Sequence, residues 1–197
     1  MSNSPPYIIG IGGTPRTYSS SERALRVALA AVEQAGGETV AFVGPSLILP
    51  MYGEQPERTL EAKAFVAALR RCDGVIISSP AYHGAISGLV KNALDYIEDL
   101  RTDDRSYLDG RAIGCIACAG GWQAAGQTLA NLRAVAHALR GWPTPLGAQL
   151  NTSQTLFAAD GTCIDGAAKF QLETVGRQVV EFARMARRVA AEAPAPV

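Results

Sequence analysis

The sequence predicts an α/β fold: a doubly wound, five-stranded parallel sheet with helices on both faces. Three observations predict it. Five short apolar runs alternate with five longer segments of helical periodicity, the signature of βαβ units. Glycine pairs at 12–13, 36–37 and 120–121 punctuate the pattern, as element ends require. The 197 residues are 48% hydrophobic and 18% charged, apolar enough for a sizeable core and too apolar for a disordered chain.

Tyr7 to Ile11 is the first strand, stopped by Gly12-Gly13. From about Ser19, Ala24, Leu25, Ala28, Leu29 and Val32 form a helical stripe that ends at Gly36-Gly37, a C-cap. Thr39 to Val43 is the second strand, and the Pro- and Gly-rich stretch Gly44 to Pro56 is a loop. Glu57 to Arg71 reads as a helix, Gly74 to Ser79 as the third strand, and Pro80 to Ser87 as a loop. Gly88 to Leu100 is helical, Ala112 to Ala119 is the fourth strand, and Trp122 to Arg140 is a helix. A weaker fifth strand covers Gly147 to Leu150, with Trp142 as an alternative start. Phe170 to Ala191 closes the fold with a stripe of Leu172, Val175, Val179, Phe182 and Met185. No repeat or linker divides the chain, so residues 1–192 are expected to form one domain, with 193–197 a loose tail.

Lys+Arg 18 balances Asp+Glu 18, which gives no electrostatic reason to expect nucleic acid or an anionic membrane as partner. Met1 to Pro6 is short and polar, and the first apolar run is too brief for a signal segment or membrane span. Four cysteines in a chain of this length do not resemble a secreted disulfide framework. A cytoplasmic enzyme or carrier is the expectation.

Doubly wound sheets bind ligands where loops gather at the carboxyl ends of strands. The loop after the first strand, Gly12 to Ser21, leads straight into a helix. It carries the hydroxyls of Thr14, Ser19, Ser20 and Ser21 and the guanidinium of Arg16, a donor set suited to a phosphate. A plain helix cap over a solvated turn is the competing reading, because serine caps helices anyway. No Gly-x-x-x-x-Gly-Lys-Ser/Thr is present, which argues against a P-loop. Gly10-Ile-Gly-Gly-Thr-Pro15 starts like a dinucleotide fingerprint, but proline replaces its third glycine. Nor does an acidic residue end the second strand to hold a ribose. A terminal monophosphate, as in FMN, fits better.

Ser78-Ser-Pro-Ala-Tyr-His-Gly84 follows the third strand and offers backbone amides and one face to a flat ring. His83 alone reads as a surface or packing histidine. Gly84-Ala-Ile-Ser-Gly88 is not a serine-hydrolase elbow. Ala119-Gly-Gly-Trp122 supplies a third glycine loop on the same rim. Cys115-x-x-Cys118 has redox spacing, yet strand alternation points the two thiols to opposite faces. The two histidines and the carboxylates show no metal-ligand spacing. The acidic stretch Asp95 to Asp104 reads as a solvated helix end or the edge of a subunit contact. Arg184, Arg187 and Arg188 suit the dipole at a helix end.

Thr14-x-Arg16-x-x-Ser19-x-Ser21, Ser79-Pro-Ala-Tyr-His-Gly84, Ser87-Gly88-x-x-Lys91-Asn-Ala-Leu-Asp-Tyr96 and Ala119-Gly-Gly121 together resemble the NAD(P)H-dependent FMN reductase family of flavodoxin-like proteins. The resemblance runs in order over about residues 7 to 150. It implies a flavodoxin-like sandwich in which Thr14, Arg16, Ser19 and Ser21 hold the FMN phosphate. It implies that Pro80, Ala81, Tyr82, His83 and Gly84 line the isoalloxazine and ribityl region, with Ala119, Gly120 and Gly121 against the pyrimidine side. Thr14 departs from the family's usual serine, and Trp122 is an unfamiliar neighbour of the last glycine loop. A homodimer or homotetramer is implied, with the helix from Gly88 at its interface.

The implied reaction is hydride transfer from NADPH or NADH to the flavin, then electron transfer to an acceptor. That acceptor is free flavin for a monooxygenase partner, or a quinone, azo dye or other small oxidant. No catalytic side chain is required, since the flavin carries the chemistry. A flavodoxin-type electron carrier and a flavin-free binding module are the rival readings.

Overall fold

Strand alternation sends Ile9 and Ile11 to one side of the sheet and Ile8 to the other, and the two sides become separate cores. The computed structural model describes residues 4–54 and 57–192; the expected loose tail, 193–197, lies outside the described residues. In chain order the elements are β1 (Tyr7–Gly12), α1 (Ser20–Gln34), β2 (Glu38–Val43), α2 (Leu60–Arg71), β3 (Gly74–Tyr82) and β4 (Ala85–Ile86). Then come α3 (Gly88–Asp95), β5 (Ala112–Ala119), α4 (Trp122–Ala138), β6 (Trp142–Pro143), β7 (Ala148–Asn151) and α5 (Gly166–Glu192).

The order β2-β1-β3-β5 is parallel throughout. Both β6 and β7 pair parallel to β5, so the expected fifth strand is present as two segments. Pro143 and Pro145 have no N–H to contribute to a ladder, which accounts for the interruption. This is the flavodoxin-like order, with its switch point between β1 and β3. Helices α2, α3 and α4 bury Phe65, Val90 and Leu132 on one face; α1 and α5 bury Leu25 and Val175 on the other. The second pair is tight: a Cβ on Gly176 of α5 would stand 2.2 Å from the Ala28 carbonyl oxygen of α1.

Helix starts follow their caps. Thr59 Oγ1 accepts from Ala62 N at 3.2 Å, so α2 begins at Leu60 rather than at the expected Glu57. Asp165 Oδ1 accepts from Ala168 N at 2.7 Å, which starts α5 at Gly166, earlier than the expected Phe170. Helix α3 gives way to a 3-10 turn over Tyr96–Leu100.

The expected loop over Pro80 to Ser87 is instead the end of β3 and a hairpin with β4. The C-terminal arginines do not serve the helix dipole, because α5 continues to Glu192. Arg187 pairs with Asp73 at 2.6 Å, and Arg184 donates to the Ala35 carbonyl. Trp142 pairs with Ala112, the first residue of β5. It therefore sits, with nearby His137, at the edge opposite the strands' carboxyl ends. Among the described residues no helix is long and apolar enough to cross a membrane.

Candidate functional site

At the carboxyl edge, Gly12 and Ser78 are register partners. A Cβ on Gly12 would lie 2.4 Å from the Ser78 carbonyl oxygen, so only glycine lets β1 end this close to β3. Gly13 N donates to the same oxygen at 3.2 Å. Thr14 Oγ1 then accepts from Arg16 N at 3.2 Å and donates to Arg16 O at 3.1 Å, closing a small turn. Arg16 is exposed, and no side-chain partner holds its guanidinium among the described residues.

Ser19 caps α1, its Oγ accepting from Glu22 N at 3.3 Å. The plain cap reading is thus correct for this one hydroxyl. The N–H groups of Ser20 and Ser21 open the helix and have no intrahelical acceptor. Ser19 and Ser21 are buried, with their hydroxyl oxygens 3.3 Å apart, and Ser20 is half-buried. A free guanidinium beside a helix start is a phosphate cradle in kind.

Sequence reasoning missed Glu22. It is 3% exposed; Oε2 accepts from Tyr18 N at 2.8 Å, and Oε1 accepts from Arg26 Nη2 at 2.7 Å. The signal was present, since Ser19-x-x-Glu22 is a capping-box spacing. Here the carboxylate takes the N–H one residue before the cap.

Ser78 Oγ donates to Ser21 O at 2.8 Å, tying β3 to α1. Ser79 Oγ donates to Pro80 O at 2.8 Å and accepts from Ser87 N at 3.0 Å. Ser87 in turn caps α3. Between them, Tyr82 pairs with Ala85 across a two-residue turn. His83 at φ 53° and Gly84 at φ 77° give both turn residues the positive φ of a type I′ hairpin. Asn131 Nδ2 on α4 steadies the turn through Gly84 O at 3.3 Å. Pro80 is buried, Ala81 and Gly84 are half-buried, and Tyr82 and His83 are exposed.

Ala119 is buried and pairs with Asn151. Beyond it, a Cβ on Gly120 or Gly121 would meet nothing within 4 Å. The wall is low there because both residues lack side chains, and Trp122 stands exposed beside it. The structure therefore gathers the loops carrying Thr14 to Ser21, Pro80 to Gly84 and Ala119 to Gly121 on one rim. Anion donors at one end and flat, small-residue walls at the other fit FMN's phosphate and ring.

Other candidates disperse. Cys115 packs in the α2/α3/α4 core and Cys118 in the α1/α5 core, as alternation requires. Burial pushes each thiol up to about 12. The acidic stretch is not simply solvated. Asp99 takes both Arg58 Nε (2.9 Å) and Nη2 (2.8 Å), and Asp103 takes Arg70 Nε at 2.8 Å.

A model of the NADPH-dependent FMN reductases matches residues 6–155. The chain belongs to the NADPH-dependent FMN reductase family. This FMN reductase family member is 34% identical to an NADPH azoreductase of Bacillus sp. (strain OY1-2) over 116 residues, 58% of this chain and 59% of that protein. It is 31% identical to an FMN-dependent NADPH-azoreductase of Staphylococcus aureus over 121 residues, 60% of this chain and 57% of that protein. The chain thus spans under two thirds of the length of these relatives. Among solved structures, the flavoenzyme NAD(P)H:(acceptor) oxidoreductase of Paracoccus denitrificans superposes with a TM-score of 0.73. That match has 18% identity and covers 91% of this chain and 98% of that one. The flavodoxin-like architecture of the family is shared with it.

Proposed function

We propose that this chain is an NAD(P)H-dependent FMN reductase that takes hydride from NADPH or NADH and passes electrons to a small acceptor. The observation that carries the reading is the rim itself: an unengaged guanidinium and open helix-start donors at 14–21, one strand away from a glycine-walled face. Arg16 and the N–H groups of Ser20 and Ser21 bind the phosphate, with Thr14 shaping the turn. Ser19 and Ser21 hold that turn from within.

Pro80, Ala81, Tyr82, His83 and Gly84 support one side of the ring, and Ala119, Gly120 and Gly121 leave room along its other edge. FMN, when bound, supplies the two-electron chemistry. The protein positions it and requires no catalytic side chain of its own. His83 is held as a turn residue.

Two curated relatives are named as azoreductases, which favours an azo compound as acceptor over flavin handed to a monooxygenase. We further infer a cytoplasmic homodimer or homotetramer built on residues 1–192. The exposed Met51, Tyr82 and Trp122 support such an assembly. The deciding experiment is the visible spectrum of the purified protein, with and without added FMN, followed by anaerobic NADPH. Bleaching of bound flavin, and steady turnover with an azo acceptor, are expected. A flavin spectrum that NADPH leaves unchanged would reduce the protein to a binding module.

A further inference from the structure

The segment between β7 and α5 folds back over the first turn of α1. Its path is fixed by local hydrogen bonds and by two side chains in the core. Asn151 Oδ1 accepts from Ser153 N at 3.1 Å and from Ser153 Oγ at 2.7 Å. Ala158 N donates to Thr162 O at 2.9 Å, and Leu156 and Cys163 enter the α1/α5 core. Between this segment and α1 lies a pocket of about 130 Å³. Ser20 and Arg23 line one side; Thr152, Gln154, Thr155 and Phe157 line the other.

Arg23 is the unusual member. Its Nη1 donates to Ala158 O at 3.3 Å, which fixes the guanidinium across the gap. Among the described residues its Nε is buried and has no hydrogen-bond partner. A buried donor on a permanent cation is costly when left without an acceptor. Among the described residues no carboxylate lines the pocket. Asp160, whose carboxyl feels the Arg23 charge, is exposed on the outer turn, where it accepts from Thr162 N at 2.9 Å. Beside the Arg23 guanidinium, the pocket is lined by the hydroxyls of Ser20, Thr152 and Thr155 and by the Gln154 amide. Every one of these can donate to an oxyanion. Ligand pockets for whole drug-sized molecules run to roughly 300–1,000 Å³, so this one admits an anionic group and not a tricyclic ring.

We propose that the pocket is a second oxyanion site, separate from the cradle at Arg16. It takes a phosphate or sulfonate group carried by the hydride donor or by the acceptor. The identity of the carrier rests on the flavin-reductase reading; the pocket's preference for an oxyanion does not.

The test titrates FMN-saturated protein calorimetrically with inorganic phosphate, adenosine 2′-monophosphate and p-toluenesulfonate, with adenosine as the uncharged control. Saturable binding of at least one anion is expected, weakened tenfold or more by Arg23→Gln and about threefold by Thr155→Val. Preference for adenosine 2′-monophosphate, with KM for NADPH raised in Arg23→Gln and KM for NADH unchanged, assigns the group to the donor. Preference for p-toluenesulfonate assigns it to the acceptor. Equal affinities in wild type and both variants, or no saturable heat for any anion, overturn the proposal. Loss of FMN from Arg23→Gln in step with Arg16→Ala also overturns it, because the pocket would then belong to the flavin site. If circular dichroism shows Arg23→Gln unfolded, Thr155→Val and Gln154→Leu carry the comparison. A chain that never takes up FMN defeats the reductase reading alone, and the same titrations on flavin-free Arg16→Ala protein then judge the pocket.

Discussion

Tyr18, held at φ 58°, donates its backbone N–H to Glu22 Oε2 across 2.8 Å. The left-handed conformation costs a residue with a Cβ on the order of 1–3 kcal/mol, and the buried carboxylate is what offsets it. Arg26 chelates the other oxygen through Nε at 2.9 Å and Nη2 at 2.7 Å. A fixed negative charge thus sits behind a loop read as an anion cradle, masked by a cation on the next turn. Glu22→Ala should cost about 1–3 kcal/mol and loosen the loop enough to weaken FMN as well. Urea midpoints and a flavin titration measure both; unchanged values in the two assays would remove the anchoring role.

Arg16 offers the cleaner probe of binding, because it is exposed and supports no other element. Arg16→Ala should leave the melting temperature unchanged and lose a charge-assisted contact worth ~1.5–3 kcal/mol, a ten- to hundredfold weaker FMN. An unaltered dissociation constant would move the phosphate elsewhere.

The hairpin makes a sharper statement about His83. Its positive φ suits asparagine or glycine and opposes a β-branched residue. His83→Asn should keep both stability and the pH profile of NADPH oxidation, whereas His83→Val should destabilise by about 1–3 kcal/mol. A pH profile of NADPH oxidation that changes in His83→Asn would make the histidine part of the chemistry after all.

Burial holds Cys115 and Cys118 protonated up to about 12, and all four cysteines are free and buried. Iodoacetamide at pH 8 should label none of them quickly in the native protein and all of them in urea. Because these folded-state values lie above the unfolded value near ~8.5, the stability they contribute is complete below that pH. It is lost as pH rises toward 12. Rapid native labelling would contradict the buried placement.

Asp99 behaves with the opposite sign. Hydrogen bonds from Arg58, and secondarily from Tyr52, hold its carboxyl below the usual carboxylate range. Its contribution is therefore present above about pH 4 and disappears as pH falls below that. Both side chains keep about a fifth of their surface in water (23% for Arg58, 21% for Asp99), so a modest effect of ~1 kcal/mol is expected. Asp99→Asn should melt below wild type at pH 7, with the difference narrowing as pH falls below about 4. A gap that stays constant as the pH is lowered would show that packing, not charge, is responsible.

The parallel strands were legible because fully buried runs such as Val75-Ile-Ile77 have no polar interruptions, and their glycine ends mark the rim. The hairpin was not. Its second strand is two residues long, and His-Gly carries a weaker turn signal than Asn-Gly. The break between Trp142-Pro143 and Ala148 to Asn151 was half legible, since the prolines forbid a continuous ladder without saying where pairing resumes. Contacts formed over long separations, such as Arg58 with Asp99 or Arg23 with Ala158, leave no local periodicity to read. The rim loops were found by their composition. Which of their hydroxyls face inward, as Ser19 and Ser21 do, depends on how α1 packs, which composition does not record.

Ser78 and Ser79 are consecutive residues, yet one fastens the opening of the first helix and the other fastens the hairpin. Both halves of the rim are therefore hung from a single peptide step in a central strand of the sheet. The span from anion end to ring end is thus gauged by the covalent chain rather than by the settling of loops. Drift in either surface segment leaves that gauge untouched, while a slip of the strand by one residue would misalign the two halves together.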